Sequence, residues 1–108
     1  MYVRVARFEG VDPSRVEEDY ARFRQMVRSG ERPDFMPEEV FETLRGSVRR
    51  VMSFVDRDAG ATLDLTFTDD AESARRVHEA LDSLSPPDGS GRRADVKTFE
   101  LVLDEQFD

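Results

Sequence analysis

Cysteine is absent from this 108-residue chain, as are tryptophan, asparagine and isoleucine, while histidine and lysine occur once each. Without cysteine there is no disulfide, no thiolate metal site and no cysteine nucleophile, a composition that fits a reducing compartment. No apolar run approaches the roughly 20 residues of a membrane-spanning helix, so the chain reads as soluble with no membrane partner. The opening Met1-Tyr-Val-Arg-Val-Ala-Arg-Phe8 has arginines breaking its apolar positions. It therefore reads as a strand rather than the hydrophobic core of a signal peptide, and the cytoplasm is the default expectation. Positive charge is in deficit: 24 Asp and Glu against 16 Lys and Arg give a net charge of −8. Such a field repels phosphate backbones, so nucleic acid is not an expected partner. Fifteen arginines against the single Lys97, with no isoleucine or asparagine, indicate a genome that avoids A/T-rich codons. The arginine count is weak functional evidence for that reason.

What is present is one domain, residues 1–108, long enough for one core and not for two. The segment Ala61 to Leu84 organises it. In Ala61-Thr-Leu-Asp-Leu-Thr-Phe-Thr68 the large apolar residues Leu63, Leu65 and Phe67 alternate with Thr and Asp, the period of a half-buried strand. Asp69 is placed to cap a helix, with Glu72 reaching back as in a capping box. Ala74, Val77, Leu81 and Leu84 then form one helical stripe, which is expected to cover the strand.

The remaining elements follow in order. Tyr2 to Glu9 reads as a strand with apolar residues on both faces. Asp12 and Pro13 start a helix with a stripe of Val16, Tyr20, Phe23 and Val27, and Gly30 is placed to end it. Residues 31–46 read as an irregular insertion with a short helix from Glu38 to Leu44. Its apolar Phe35, Phe41 and Leu44 are expected to pad the edge of the core, the alternative being a lid over a cleft. Val48 to Val55 and the strand from Ala61 make a hairpin across Asp56-Arg-Asp-Ala-Gly60. Its register is open by one residue, so either Met52 and Phe54 or Val51 and Val55 face the helices. Ser85 to Gly91 is a loop of breakers, Val96 to Leu103 a last strand, and residues 104–108 an acidic tail.

The order strand, helix, strand, strand, helix, strand implies a ferredoxin-like α+β fold, βαββαβ: a four-stranded antiparallel sheet with two helices on one face. The opening Met-Tyr-Val-Arg-Val-Ala-Arg-Phe-Glu-Gly, the turn Val-Asp-Arg-Asp-Ala-Gly and Leu-Ser-Pro-Pro-Asp-Gly-Ser-Gly-Arg-Arg resemble small proteins of the dimeric α/β-barrel superfamily, the antibiotic-biosynthesis-monooxygenase-like (ABM-like) group. These motifs are turn and strand-start chemistry, so the resemblance implies a fold and a dimer more than an activity. The enzymes of that superfamily use Asn, Trp and His for haem breakdown, or Asn, Trp and Tyr to oxygenate polyphenols. Neither set maps here, because the chain has no Asn and no Trp; no cofactor is implied, and haem-degrading activity is not expected.

Candidate residues are few. His78, the only histidine, lies beside Val77 and Leu81 as a proton shuttle or haem ligand bordering a cleft, or as a half-exposed helix residue near Glu79 and Asp82. A lone histidine does not make a metal site. Tyr20 and Phe23 line a pocket for an aromatic ligand or belong to the core. Arg4, Asp64 and Glu100 fall on the sheet face opposite Leu63, Leu65 and Leu101, as a ligand-binding or acid–base row, or as an ion-pair network in a partner interface. Arg92-Arg93 reads as a solvated loop.

Two function classes follow. One is a small dimeric α/β-barrel protein, uncharacterised in activity, that binds a small apolar or aromatic molecule or serves as an assembly module. The other is an enzyme, a cofactor-independent monooxygenase or an isomerase, with Tyr20, His78 or the charged row as acid–base groups. In either class a homodimer through the sheet face is expected, because the face taken as free of helices exposes Tyr2, Phe8, Val96 and Val102.

Overall fold

A computed structural model describes residues 1–84 and 91–108, so the expected loop of breakers lies outside the described residues except for Gly91. The chain runs β1 (Tyr2–Glu9), a 3-10 turn (Pro13–Arg15), α1 (Val16–Ser29), α2 (Glu38–Ser47), β2 (Val48–Asp56), β3 (Ala61–Thr68), α3 (Ala71–Asp82) and β4 (Arg92–Glu100). The strands form one antiparallel sheet in the order β2-β3-β1-β4. The last strand thus lies beside the first, and the first beside the third.

Local chemistry sets the boundaries. The Asp12 carboxylate accepts from the Ser14 N–H at 3.0 Å, and Pro13 begins a 3-10 turn that leads into α1. At the far end Gly30, at φ 70°, returns its N–H to the Met26 carbonyl. The cap of α3 is Asp70, not Asp69: Asp70 accepts from the Ser73 N–H at 2.7 Å. Asp69 instead pairs with Arg49 at 2.9 Å, and Glu72 lies near Arg75 and Arg76. Strand β4 begins four residues before the expected Val96 and ends at Glu100, short of Leu103. Gly91 is the reason at the entry. At φ 79° it lies so close to β1 that an added Cβ would fall 2.1 Å from the Glu9 carbonyl oxygen. At the exit the Leu101 N–H reaches the Met1 carbonyl at 2.9 Å, just before the first residue of β1.

The register settles the two faces, since directly opposed residues in antiparallel strands share a face. Ala6 opposes Asp64 and Val96, Arg4 opposes Thr66 and Thr98, and Ser53 and Val51 oppose Asp64 and Thr66. Val5 opposes Leu65, which opposes Met52, while Val3 opposes Phe67 and Phe99, and Phe54 opposes Leu63. The hairpin ambiguity is resolved accordingly: Val51 and Val55 share the face of Thr66 and Thr62, and Met52 and Phe54 the other.

The helices cover the opposite face from the one expected. Ala6, Arg4, Thr62, Thr66 and Thr68 are buried. Tyr20 of α1 bonds Asp64 and Arg4 bonds His78 of α3 on that side. On the other face Phe54 and Phe99 are about half exposed and Val5, Met52, Leu63, Leu65 and Phe67 are partly buried, while Val3 is buried. The expectation that the stripe of α3 covers Leu63, Leu65 and Phe67 is corrected. The rule that a domain's own helices bury the more apolar face fails here because α2 packs mainly on α3, with Met26 of α1 joining their contact. Met36, Val40 and Phe41 form a buried cluster against Met26 of α1 and Leu44, Ala80 and Leu84. Phe41 and Leu44 pack as expected, whereas Phe35 is 67% exposed and Met36 holds the buried place.

Candidate functional site

The stripe of α1 carries Val16, Tyr20, Phe23 and Val27, but only Val16 is fully buried. The helix stands off the β2 edge of the sheet, leaving a groove of ≈ 450 Å³. Phe23 and Val27 form one wall, Val51 and Ser53 the other, with Tyr20 between them and Arg24 and Arg28 on the rim. An apolar groove with a few convergent polar groups is the general form of a small-molecule site.

Tyr20 and Ser53 line the groove, and Asp64 lies behind them on the covered sheet face. The Tyr20 hydroxyl donates to Asp64 Oδ1 at 2.7 Å. Ser53, across the β2–β3 ladder from Asp64, also interacts with it. Burial pushes the Asp64 carboxyl above the ordinary carboxylate range, against the opposing pull of Tyr20, Ser53 and the Arg4 charge. The Tyr20 phenol is pushed up to about 12, first by burial and then by the neighbouring Asp64 charge. The phenol therefore keeps its proton, and Asp64 is the group in the pair that can exchange one.

Beside this pair lies Arg4, a diagonal neighbour of Asp64 on the sheet and only 6% exposed. Its Nε donates to His78 Nδ1 at 3.2 Å. Because arginine has no acceptor, Nδ1 must accept, and the ring proton of neutral His78 sits on Nε2. Arg4 Nη2 is buried without a hydrogen-bond partner among the described residues. Arg93 lies close enough for its charge to act on Arg4, whose guanidinium is held below its ordinary value first by burial and then by that repulsion. Arg93 is anchored by Asp82 at 2.7 Å and by the carbonyls of Leu84 and Leu81, while its own Nε has no partner among the described residues.

Of the residues singled out in the sequence, Tyr20, Asp64, Arg4 and His78 come together beneath α1 and α3, and Phe23 walls the adjoining groove. Glu100 does not join them. It shares their face but sits exposed at the end of the edge strand β4, opposite Tyr2. The charged row cannot pin a partner interface, because the helices of the same chain cover Arg4 and Asp64. His78 is not a merely half-exposed residue beside Glu79 and Asp82, since Arg4 of β1 bonds it. Ser53 and Arg93 were missed. Ser53 carried no signal while the hairpin register was open, and Arg93 was assigned to a loop because β4 starts earlier than its apolar pattern. Among the described residues no three His, Asp or Glu side chains converge to hold a metal ion, and no helix is long and apolar enough to cross a membrane.

The raised Asp64 pKa gives a pH test with a definite sign. Below about pH 4 Asp64 is protonated in both folded and unfolded chains and contributes no difference. As pH rises from there to the raised folded value, the unfolded chain ionises first, so wild-type stability falls. Asp64→Asn keeps an acceptor for Tyr20 and removes the titration. Urea unfolding should show the variant gaining on wild type as pH rises toward neutrality. A gap that is constant with pH would mean that Asp64 is not held in a desolvated setting.

No protein-family model matches the chain, and no curated protein matches it.

Proposed function

We propose that this chain is a ferredoxin-like protein of the dimeric α/β-barrel, ABM-like kind, cytoplasmic, that works as a homodimer and binds a small molecule in the α1–β2 groove. The observation that carries the reading is the set beside that groove: partly buried Tyr20 bonded to partly buried Asp64, with the buried Arg4 next to them, its Nη2 without a partner among the described residues. Two ionisable groups of the sheet face, Arg4 and Asp64, and the Tyr20 phenol above them are desolvated by burial, which costs stability. Retaining them where alternating apolar residues would fold as well is the pattern expected of a site. The apolar walls Phe23, Val27 and Val51 suit the body of an aromatic or aliphatic molecule, and the polar inner side suits a hydroxyl or carbonyl on it.

The isomerase-like alternative draws on the same pair, because a carboxyl whose proton affinity is raised by burial is suited to general acid–base work. A cofactor-independent monooxygenase rests on the resemblance of the turns alone. The role of an assembly module follows if the groove takes no ligand.

Thermal denaturation against a panel of aromatic hydroxyl and carbonyl compounds, with haem, flavin and polyphenols included, tests the reading. A ligand at a hundredfold its dissociation constant stabilises by about 2.7 kcal/mol. At least one aromatic compound should raise the midpoint of wild type, and Tyr20→Phe should shrink the rise. A panel without any shift, or a shift that Tyr20→Phe leaves unchanged, contradicts it.

A further inference from the structure

Beyond Leu101 the chain, residues 102–108, leaves the sheet as an exposed arm. Val102 and Leu103 are 86% and 74% exposed and Phe107 is fully exposed. The arm is also acidic, with Asp104, Glu105 and Asp108 in no ion pair among the described residues. The groove has the complementary character. Phe23 and Val27 are 37% and 56% exposed on its wall. Arg24 and Arg28 on its rim are likewise in no ion pair, although Arg15 and Arg22 of the same region are.

We propose that the arm of one copy docks in the groove of the other, with the partner's Phe107 against Phe23 and Val27 and the arm's carboxylates beside Arg24 and Arg28. The proposal rests on the homodimer proposed above. Within one chain the two features lie on opposite edges of the sheet, since β4 and β2 are the outer strands. Three strand spacings, about 14 Å, and the helix layer separate them. Stacking two open faces about a two-fold axis that runs along the strands sets β4 of one sheet over β2 of the other.

The ends also correspond. Strand β4 finishes opposite Tyr2, Tyr2 opposes Thr68, and Thr68 opposes Val48 at the start of β2. Glu17, at the start of α1, pairs with Arg57 just past the end of β2. The C-terminal half of α1, with Arg24, Val27 and Arg28, therefore lies toward the end of the sheet where the arm departs. From Leu101 to Phe107 an extended chain spans about 20 Å, enough to pass one sheet edge and enter the groove. The partner's Phe107 would then close the groove over Tyr20 and Asp64, and the site is complete only in the dimer.

The native chain has no cysteine, so a double variant, Val27→Cys with Phe107→Cys, reports the contact directly. Both positions are exposed, and neither change should prevent folding. Mild oxidation followed by mass mapping is expected to give a covalent dimer linked between positions 27 and 107 of different chains. Adding Arg24→Glu and Arg28→Glu is expected to lower its yield several-fold, the size that two exposed ion pairs allow. A 27-to-107 link within single chains, no such link in a protein that sediments as a dimer, or a yield indifferent to charge reversal would each overturn the docking and leave the dimer standing. Sedimentation of the reduced variant and of wild type as folded monomers would overturn both.

Discussion

Replacing Leu65 by Asp should turn the protein into a folded monomer. Leu65 lies near the centre of the open sheet face, opposed by Val5 on one side and Met52 on the other. The face is four strands wide and eight residues long, about 19 Å by 27 Å, or roughly 500 Å² in projection. As accessible surface it approaches the ~800 Å² per partner of a standard interface. Burying such area at about 25 cal/mol per Å² gives a favourable term well above the cost of association for a pair of well-matched faces. A carboxylate at Leu65 would enter that interface twice, once from each copy and without a partner. A penalty of about 4 kcal/mol weakens association roughly a thousandfold. The monomer should survive because the packed helix cluster lies on the other side of the sheet. Light scattering on the eluting protein reads the mass and circular dichroism the fold. A variant that stays dimeric would place the interface elsewhere. By contrast Val102→Asp should change little in the sheet contact, since Val102 lies beyond β4 and is already 86% exposed.

Arg4→Met is the second large effect, and its sign separates a site from a scaffold. Arg4 is 6% exposed, bonds only His78 through Nε among the described hydrogen bonds, and leaves Nη2 unpaired. An unsatisfied buried donor costs about 1–3 kcal/mol, and Arg4 is in no ion pair among the described residues, so replacing it by an apolar residue of similar volume removes a desolvated charge without breaking a buried salt bridge. Methionine keeps the length and flexibility needed to fill the space. Urea unfolding should therefore find the variant as stable as wild type or more so by about 1–3 kcal/mol, while the midpoint shift given by any groove ligand whose oxygen reaches Arg4 shrinks. Loss of more than about 2 kcal/mol would instead make the Arg4–His78 contact a keystone of the fold.

The strands and helices were legible because their signals are local. Alternation placed β1 and β3, Pro13 and Gly30 bounded the first helix region, and turn chemistry placed the hairpin. The pairing of each side chain with a face was legible too: Arg4 and Asp64 do share a side, opposite Leu63 and Leu65. Which side the helices cover was not. Thr62, Asp64, Thr66 and Thr68 look like a solvent face in any single strand, and the choice was decided by helix–helix burial involving Met26, Phe41 and Leu84, which no strand pattern contains. The same inversion joins residues of separate elements, since Tyr20 and His78 meet Asp64 and Arg4 only when α1 and α3 lie over the polar side. Glu100 had the right parity and the wrong neighbours, because α1 and α3 do not extend over the end of β4. The extent of β4 was missed because Gly91 fixes it through a close approach to Glu9 that has no sequence periodicity.

Hydroxyl-radical labelling of wild type at micromolar concentration, compared with the Leu65→Asp monomer, tests most directly that the apolar side of the sheet, and not the Thr, Asp and Arg side, meets a second copy. Met52, Phe54 and Phe99 should be protected in wild type and labelled in the monomer, with Phe35, 67% exposed on the helix side, labelled equally in both. Equal labelling of Met52, Phe54 and Phe99 in the two proteins would mean that the open face stays in water, and the dimer would be contradicted.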